Sequence, residues 1–254
     1  MIMTRNISIP RLTGKELRRA YVYVPNEAKE NPDYRYPVLY MFDGQNVFFD
    51  SHATYGKSWG MKKYLDEHNG RVIVVGLECN HTGNERLSEF TPYSFYEDEW
   101  GNVPEKGKAL LKWMSTDLKK WVDEKYPTLT DRRHTYIGGS SMGGLMALYA
   151  AMMHSDVYSK AVAVSPHIYP VYKSLRNDLG CTIHENTEIY ISWGGLEYKP
   201  HIMAMATDQN LQILRALMKK PGVDVIPHCF KNDDHSERAW EKELPVWMKE
   251  LNIA

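Results

Sequence analysis

Gly139-Ser140-Ser141-Met142-Gly143 concentrates the residue types that nucleophilic chemistry needs. It fits the pattern of glycine, any residue, serine, any residue, glycine, with Ser141 at its centre. A β-type run from His134 to Ile137 enters the turn, and an apolar run of good helix formers from Leu145 to Met153 leaves it. Strand, glycine turn and helix together are the setting that strains such a serine and exposes its hydroxyl. Ser141 is therefore the expected nucleophile, and the Met142 N–H one of two oxyanion donors. Taking Ser140 instead would put the second glycine at the wrong offset. A phosphate loop would need Gly-Lys-Ser/Thr, and no lysine lies between His134 and Ser159.

A serine hydroxyl is a weak nucleophile at neutral pH, so it needs a base within reach and a third group holding that base in one tautomer. On a strand-helix scaffold of this kind the partners follow in the order acid, then histidine, each after a strand. His235 is the expected base, in the polar loop Lys231-Asn232-Asp233-Asp234-His235-Ser236-Glu237 between the last strand and the last helix. The same residues could instead cap a helix and leave the imidazole solvated. His228 falls inside the strand, and His201 and His184 come at the wrong point of the order. Glu197 is the expected acid, two residues after Gly194-Gly195. Its rivals are Asp208, within a helical pattern, and Asp224, at a strand start. The second oxyanion donor is expected at the Gln45 N–H, in Asp43-Gly44-Gln45, although those residues could form a plain β-turn.

These groups must be held by the elements around them. Asn6–Ile9 and Leu17–Val24 cluster β-formers about Gly14 and suggest an antiparallel opening pair. Pro37–Phe42 and Arg71–Leu77 are apolar throughout, as strands buried on both faces are. Lys160–Ser165, Glu188–Trp193 and Asp224–Phe230 read as further strands. Helices are expected over Ser58–His68, Glu105–Tyr126, Thr207–Lys219 and Glu237–Leu251, with Pro245 kinking or splitting the last. Strand and helix alternate to the end, which predicts one α/β domain: a mostly parallel sheet of about eight strands with helices on both faces. The long segment from Glu78 to Glu105 reads as a functional loop. Its Arg86, Phe90, Tyr93 and Tyr96 are expected beside the nucleophile, Arg86 as a substrate contact, unless Arg86 pairs with Glu85 or Glu89.

Composition excludes more than it selects. Lys plus Arg (31) balance Asp plus Glu (32), so no field favours nucleic acid or an anionic membrane. The cysteines at 79, 181 and 229 are odd in number and widely spaced, which fits a reducing, cytoplasmic setting. The N-terminus has no apolar run of signal-peptide length, and nowhere do 18 apolar residues follow one another. Neither a metal motif nor a dinucleotide-binding glycine pattern is present, so no cofactor is expected.

Tyr36-Pro37-Val38-Leu39-Tyr40-Met41-Phe42-Asp43-Gly44-Gln45-Asn46, the turn Gly139 to Gly144, the late Asp234-His235 and the segment Asn84 to Pro92 resemble the putative esterase family of α/β-hydrolases. That family includes feruloyl and acetyl-xylan esterases, enterochelin-type siderophore esterases and esterase D. The resemblance runs from about residue 15 to 250. It implies the α/β-hydrolase fold, Ser141, His235 and Glu197 as a triad, Gln45 and Met142 as oxyanion donors, and a small-molecule ester as substrate. The alternatives it leaves are a siderophore esterase, an acyl-transferring relative, or a non-catalytic one that only binds esters.

Overall fold

The structure is a computed structural model that describes residues 1–10 and 12–253. In chain order it runs β1 (Ile2–Ser8), β2 (Leu17–Tyr23), β3 (Val38–Met41), α1 (Met61–Glu67), β4 (Ile73–Leu77), α2 (Glu85–Glu89), β5 (Phe95–Glu97), β6 (Gly101–Val103), α3 (Gly107–Trp113) and α4 (Lys119–Lys125). The second half continues with β7 (Thr135–Ser140), α5 (Met142–Met153), β8 (Lys160–Val164), α6 (Tyr172–Asp178), β9 (Thr187–Gly194), α7 (Pro200–Leu217), β10 (Val223–Phe230) and α8 (Glu237–Glu250). Eight strands form one sheet in the order β1-β2-β4-β3-β7-β8-β9-β10. Only the β1–β2 and β2–β4 pairings are antiparallel; every other neighbour is parallel.

The unbroken apolar runs are central strands because each supplies both faces of the sheet. In and around β3, Val38, Tyr40 and Phe42 join the core under α3 to α7, while Leu39 and Met41 join the core under α1 and α8. Period-two alternation therefore divides one hydrophobic run between two layers.

The opening pair, the parallel sheet and the helices on both faces agree with the sequence reading; the connections depart from it. The segment from Glu78 to Glu105 is not one loop but carries α2 and the β5–β6 hairpin. Elements of three to five residues are too short to show a hydrophobic period. Helix α6 has seven residues but buries only Leu175, so it shows no apolar stripe either. The long helix predicted over Glu105–Tyr126 is α3 and α4 joined by a widened turn, Met114–Leu118. There Ser115 and Thr116 donate their hydroxyls back to the Leu111 and Lys112 carbonyls, both at 2.8 Å. Helix α7 starts at Pro200, seven residues earlier than predicted, with proline in the first turn where its missing N–H costs nothing. Helix α8 runs through Pro245 unsplit, held to the sheet by buried Trp240, Leu244, Trp247 and Met248.

Candidate active site

Ser141 sits between β7 and α5 with φ 56° and ψ −123°, a conformation that non-glycine residues rarely adopt. Its N–H donates to Val164 in the next strand at 3.0 Å, and its carbonyl accepts from Leu145 and from His167 at 2.9 and 3.0 Å. The strain is thus held from three sides. The turn closes because its glycines touch: a Cβ on Gly139 would lie 2.8 Å from the Gly143 carbonyl carbon. Met142 is the first residue of α5, so its N–H belongs to the helix end whose donors have no partner within the helix.

The loops that carry Glu197 and His235, the expected acid and base, are locked together by a second pair of glycines. Gly195 N–H donates to Phe230 at 2.9 Å and Leu196 N–H to Asp233 at 3.0 Å, so the chain after β9 lies against the chain after β10. A Cβ on Gly194 or Gly195 would come within 2.2 or 2.3 Å of the Asp233 or Lys231 carbonyl oxygen. This brings Glu197 Oε2 to 3.2 Å from His235 Nδ1. The other carboxylate oxygen accepts the Gly194 N–H at 2.5 Å. The Glu197 side chain is 3% exposed and that of His235 29%. Ser236 does cap α8, its hydroxyl accepting the Ala239 N–H, yet the histidine beside it faces a carboxylate and, edge-on at 5.1 Å, Trp240. The rival residues are elsewhere. Asp208 bonds Gln212 on the outside of α7, Asp224 lies at the opposite end of β10, and His228 pairs with Glu250 at 2.7 Å.

Ser141 and His235 open on one cleft with two lobes of about 560 and 410 Å³, which share Tyr55, Gly83 and Arg86. Asn46, Thr54, Asn80, His81 and Glu237 make the larger lobe polar. Burial and the nearby charge of Asp43 push the Glu237 carboxyl up, against the opposing pull of His235 and Arg86. Leu87, Trp100, Met142, His167 and Tyr198 line the smaller lobe. Burial, with the charges of Glu197 and Glu97, raises the Tyr198 phenol well above its usual value, so it stays protonated.

Gln45 lies in a short turn after β3, 1% exposed. Its side-chain amide bolts that turn down, donating to Cys79 Sγ at 3.2 Å and accepting the Cys79 N–H at 3.2 Å. Arg86 lines both lobes but pairs with neither Glu85 nor Glu89. Its Nε and Nη2 take Asp43 in a two-pronged bond of 2.7 and 2.6 Å. Burial works against its charge, and Asp43 more than offsets this, raising its pKa further. Glu85 holds Lys106, and Glu89 holds Arg18 at 2.6 Å in the interior.

The aromatic rings expected beside the serine are not there. Phe90 and Tyr93 are buried, Phe90 against Phe42 at 5.1 Å, and Tyr96 is 64% exposed. Trp100 from the same segment lines the cleft instead, with Tyr55, His167 and Tyr198. The sequence reading missed those three. Position was the available signal, since His167 follows β8 and Tyr198 follows Glu197, both at carboxyl ends of strands where open α/β sheets place ligands. Among the described residues no group of three or more His, Cys, Asp or Glu is arranged to hold a metal ion, and no helix is long and apolar enough to cross a membrane.

A family model described as "Putative esterase" matches residues 13–251. Ferri-bacillibactin esterase BesA of Bacillus subtilis is 24% identical over 241 residues, 87% of this chain and 80% of that protein. Among solved structures, an IroE-like serine hydrolase from Shewanella oneidensis superposes with a TM-score of 0.79 at 16% identity, covering 99% of this chain and 80% of its own. Siderophore hydrolase EstA from Aspergillus nidulans does so with a TM-score of 0.74 at 14% identity, covering 98% and 95%. At such identities the structural likeness establishes the fold, which is the α/β-hydrolase arrangement expected.

Proposed function

The chain belongs to the putative esterase family, and from that premise we propose that it is a serine carboxylesterase acting on small acyl or aryl esters through Ser141, His235 and Glu197. The observation that carries this reading is the Glu197–His235 contact of 3.2 Å opening on the same cleft as a strained serine. Glu197 keeps the proton of His235 on Nδ1, which leaves Nε2 free to take the Ser141 proton as Oγ attacks the ester carbonyl. The Met142 and Gln45 N–H groups face the oxyanion that forms. His235 then returns the proton to the departing alcohol. Water repeats the sequence on the acyl-enzyme and releases the acid. Arg86, fixed by Asp43, stands at the junction of the lobes as a contact for the acyl or leaving group. The activity needs no cofactor, and one domain carries all its parts. We place it in the cytoplasm, in keeping with three free cysteines.

The test is turnover of 4-nitrophenyl acetate together with labelling by a serine-directed phosphonate. Wild type is expected to turn over and to label at Ser141 alone, and Ser141→Ala to lose both. Labelling at Ser140, or an active Ser141→Ala variant, overturns the assignment. A second reading, hydrolysis of an enterochelin-type siderophore ester, draws on the names of BesA, a ferri-bacillibactin esterase, and EstA, a siderophore hydrolase. It predicts a larger kcat/KM on a catechoyl-serine ester than on 4-nitrophenyl acetate.

A further inference from the structure

The smaller lobe contains a histidine that the proposed ester chemistry does not use. His167, 7% exposed, sits where the nucleophile turn, β8, the segment after the acid and the β5–β6 hairpin meet. Its N–H donates to the Ser141 carbonyl at 3.0 Å, so its place is tied to the nucleophile's own peptide. Its Nδ1 lies 3.1 Å from Tyr198 Oη, and Tyr198 follows Glu197 directly. Its Nε2 lies 3.3 Å from Glu97 Oε1 in β5, out of line for a hydrogen bond, and that buried nitrogen has no hydrogen-bond partner among the described residues. The rings of Trp100, Tyr198 and Phe95 surround the imidazole at 5.8, 6.4 and 6.5 Å.

The hairpin that carries Trp100 cannot hold itself in place. Its strands have three residues each and pair only with one another, and a two-stranded hairpin alone is at best marginally stable. What fastens it beside the cleft is Phe95 and Val103, one from each strand and both buried in the core, Trp100 packed against that core, and the contact of Glu97 with His167. The contact is one of proximity and not a hydrogen bond. Trp100, in the turn between the two strands, stands 5.8 Å from His167 beside that contact.

We propose that His167 is a positioning residue that holds the hairpin through Glu97 and the segment after the acid through Tyr198, so that Trp100 and Tyr198 wall a subsite for a planar aryl part of the ester. The proposal rests on the esterase reading above and adds to it where the aryl part enters and what keeps that entrance formed. Flat rings offer stacking faces to a flat ligand. The polar lobe has Tyr55, which both lobes share, and Trp240, whose ring is set edge-on to His235 at 5.1 Å.

The experiment compares methyl cinnamate with methyl butyrate, which share a leaving group, on wild type, Glu97→Gln and His167→Phe. Both variants are expected to raise KM for methyl cinnamate about ten-fold, with much smaller change in its kcat and in either constant for methyl butyrate. Equal changes on the two esters, or an unmoved KM for methyl cinnamate in both variants, would overturn the proposal. Calorimetric titration of 4-hydroxycinnamate into wild type and Glu97→Gln gives an answer without turnover: binding about ten-fold weaker in the variant supports the latch, and equal binding sinks it. Absence of turnover of either ester by wild type counts against the esterase reading, and the titration still decides the latch. Glu97 lies in the hairpin with its side chain 22% exposed, so its replacement by the isosteric amide tests the latch even if His167→Phe does not fold.

Discussion

Glu197 faces His235 with one carboxylate oxygen and accepts the Gly194 N–H with the other, behind a side chain almost closed to water. Glutamine in its place would keep the shape and the Gly194 bond but could present an N–H to His235 and select the wrong tautomer. Glu197→Gln is therefore expected to lower kcat by about 10²- to 10⁴-fold with little change in KM. Asp208→Asn and Asp224→Asn should leave kcat within about two-fold, since neither residue approaches the cleft; steady-state kinetics on the three variants separates them. Arg86 poses a different test. Its loss leaves Asp43, 5% exposed at the side chain, as an unpaired buried charge, at a cost of about 3–5 kcal/mol. Arg86→Ala is expected to lower Tm by roughly 10 °C, and Arg86→Ala with Asp43→Asn to recover part of that in calorimetry.

Between elements, the site depends on how closely loops pass. Gly195 has no need of a left-handed backbone; it is glycine because the Lys231 carbonyl lies where a Cβ would go. The β9 and β10 loops can approach only over that gap, and the approach sets the 3.2 Å separation of Glu197 and His235. Gly195→Ala is expected to push the Lys231–His235 segment outward and to lower kcat by at least about ten-fold, because catalytic contacts lose efficiency with displacements near 1 Å. A variant with unchanged kcat and pH profile would show that the two loops are set independently. The Ser236 cap acts from the other side, starting α8 immediately after the histidine.

Across the whole molecule, α8 packs a carboxyl against the sheet under the site. Glu243 is 5% exposed, and its Oε1 has no hydrogen-bond partner among the described residues; the same holds for the Tyr190 and Ser192 hydroxyls. Burial pushes Glu243 up to about 7, and the charges of Glu197 and Asp233 add to this. Ser192 and Tyr190 lie close enough to pull the other way, although neither makes a bond of normal geometry with it. The folded value lies above the unfolded 4.5, so this group's contribution to stability is complete below 4.5 and is lost as pH rises through about 7. Glu243→Gln should remove that decline, worth at most about 3 kcal/mol. Thermal unfolding at pH 5 and pH 8 checks it: the wild-type Tm is expected to fall more than that of the variant, and parallel falls would contradict the buried-acid account.

The sequence by itself determined the elements that repeat a pattern long enough to be seen. Apolar runs such as Pro37–Phe42 have the length and composition of strands covered on both faces, and the alternation of strand and helix set the sheet and its class. It also determined the candidate triad, because Ser141, Glu197 and His235 each sit just after a strand, next to glycines or turn residues whose chemistry is local. Tertiary structure decided what depends on distance through space. Arg86 found Asp43, 43 positions away, over the nearer Glu85 and Glu89, because burial favours a partner that meets both prongs of a guanidinium without water. Phe90 and Tyr93 went to the core and Trp100 to the cleft, since three-residue strands and a five-residue helix leave no periodicity to say which way a ring points. His167 gained its neighbours from four segments that meet only when the sheet closes over its helices, and no local pattern in the chain records such a meeting.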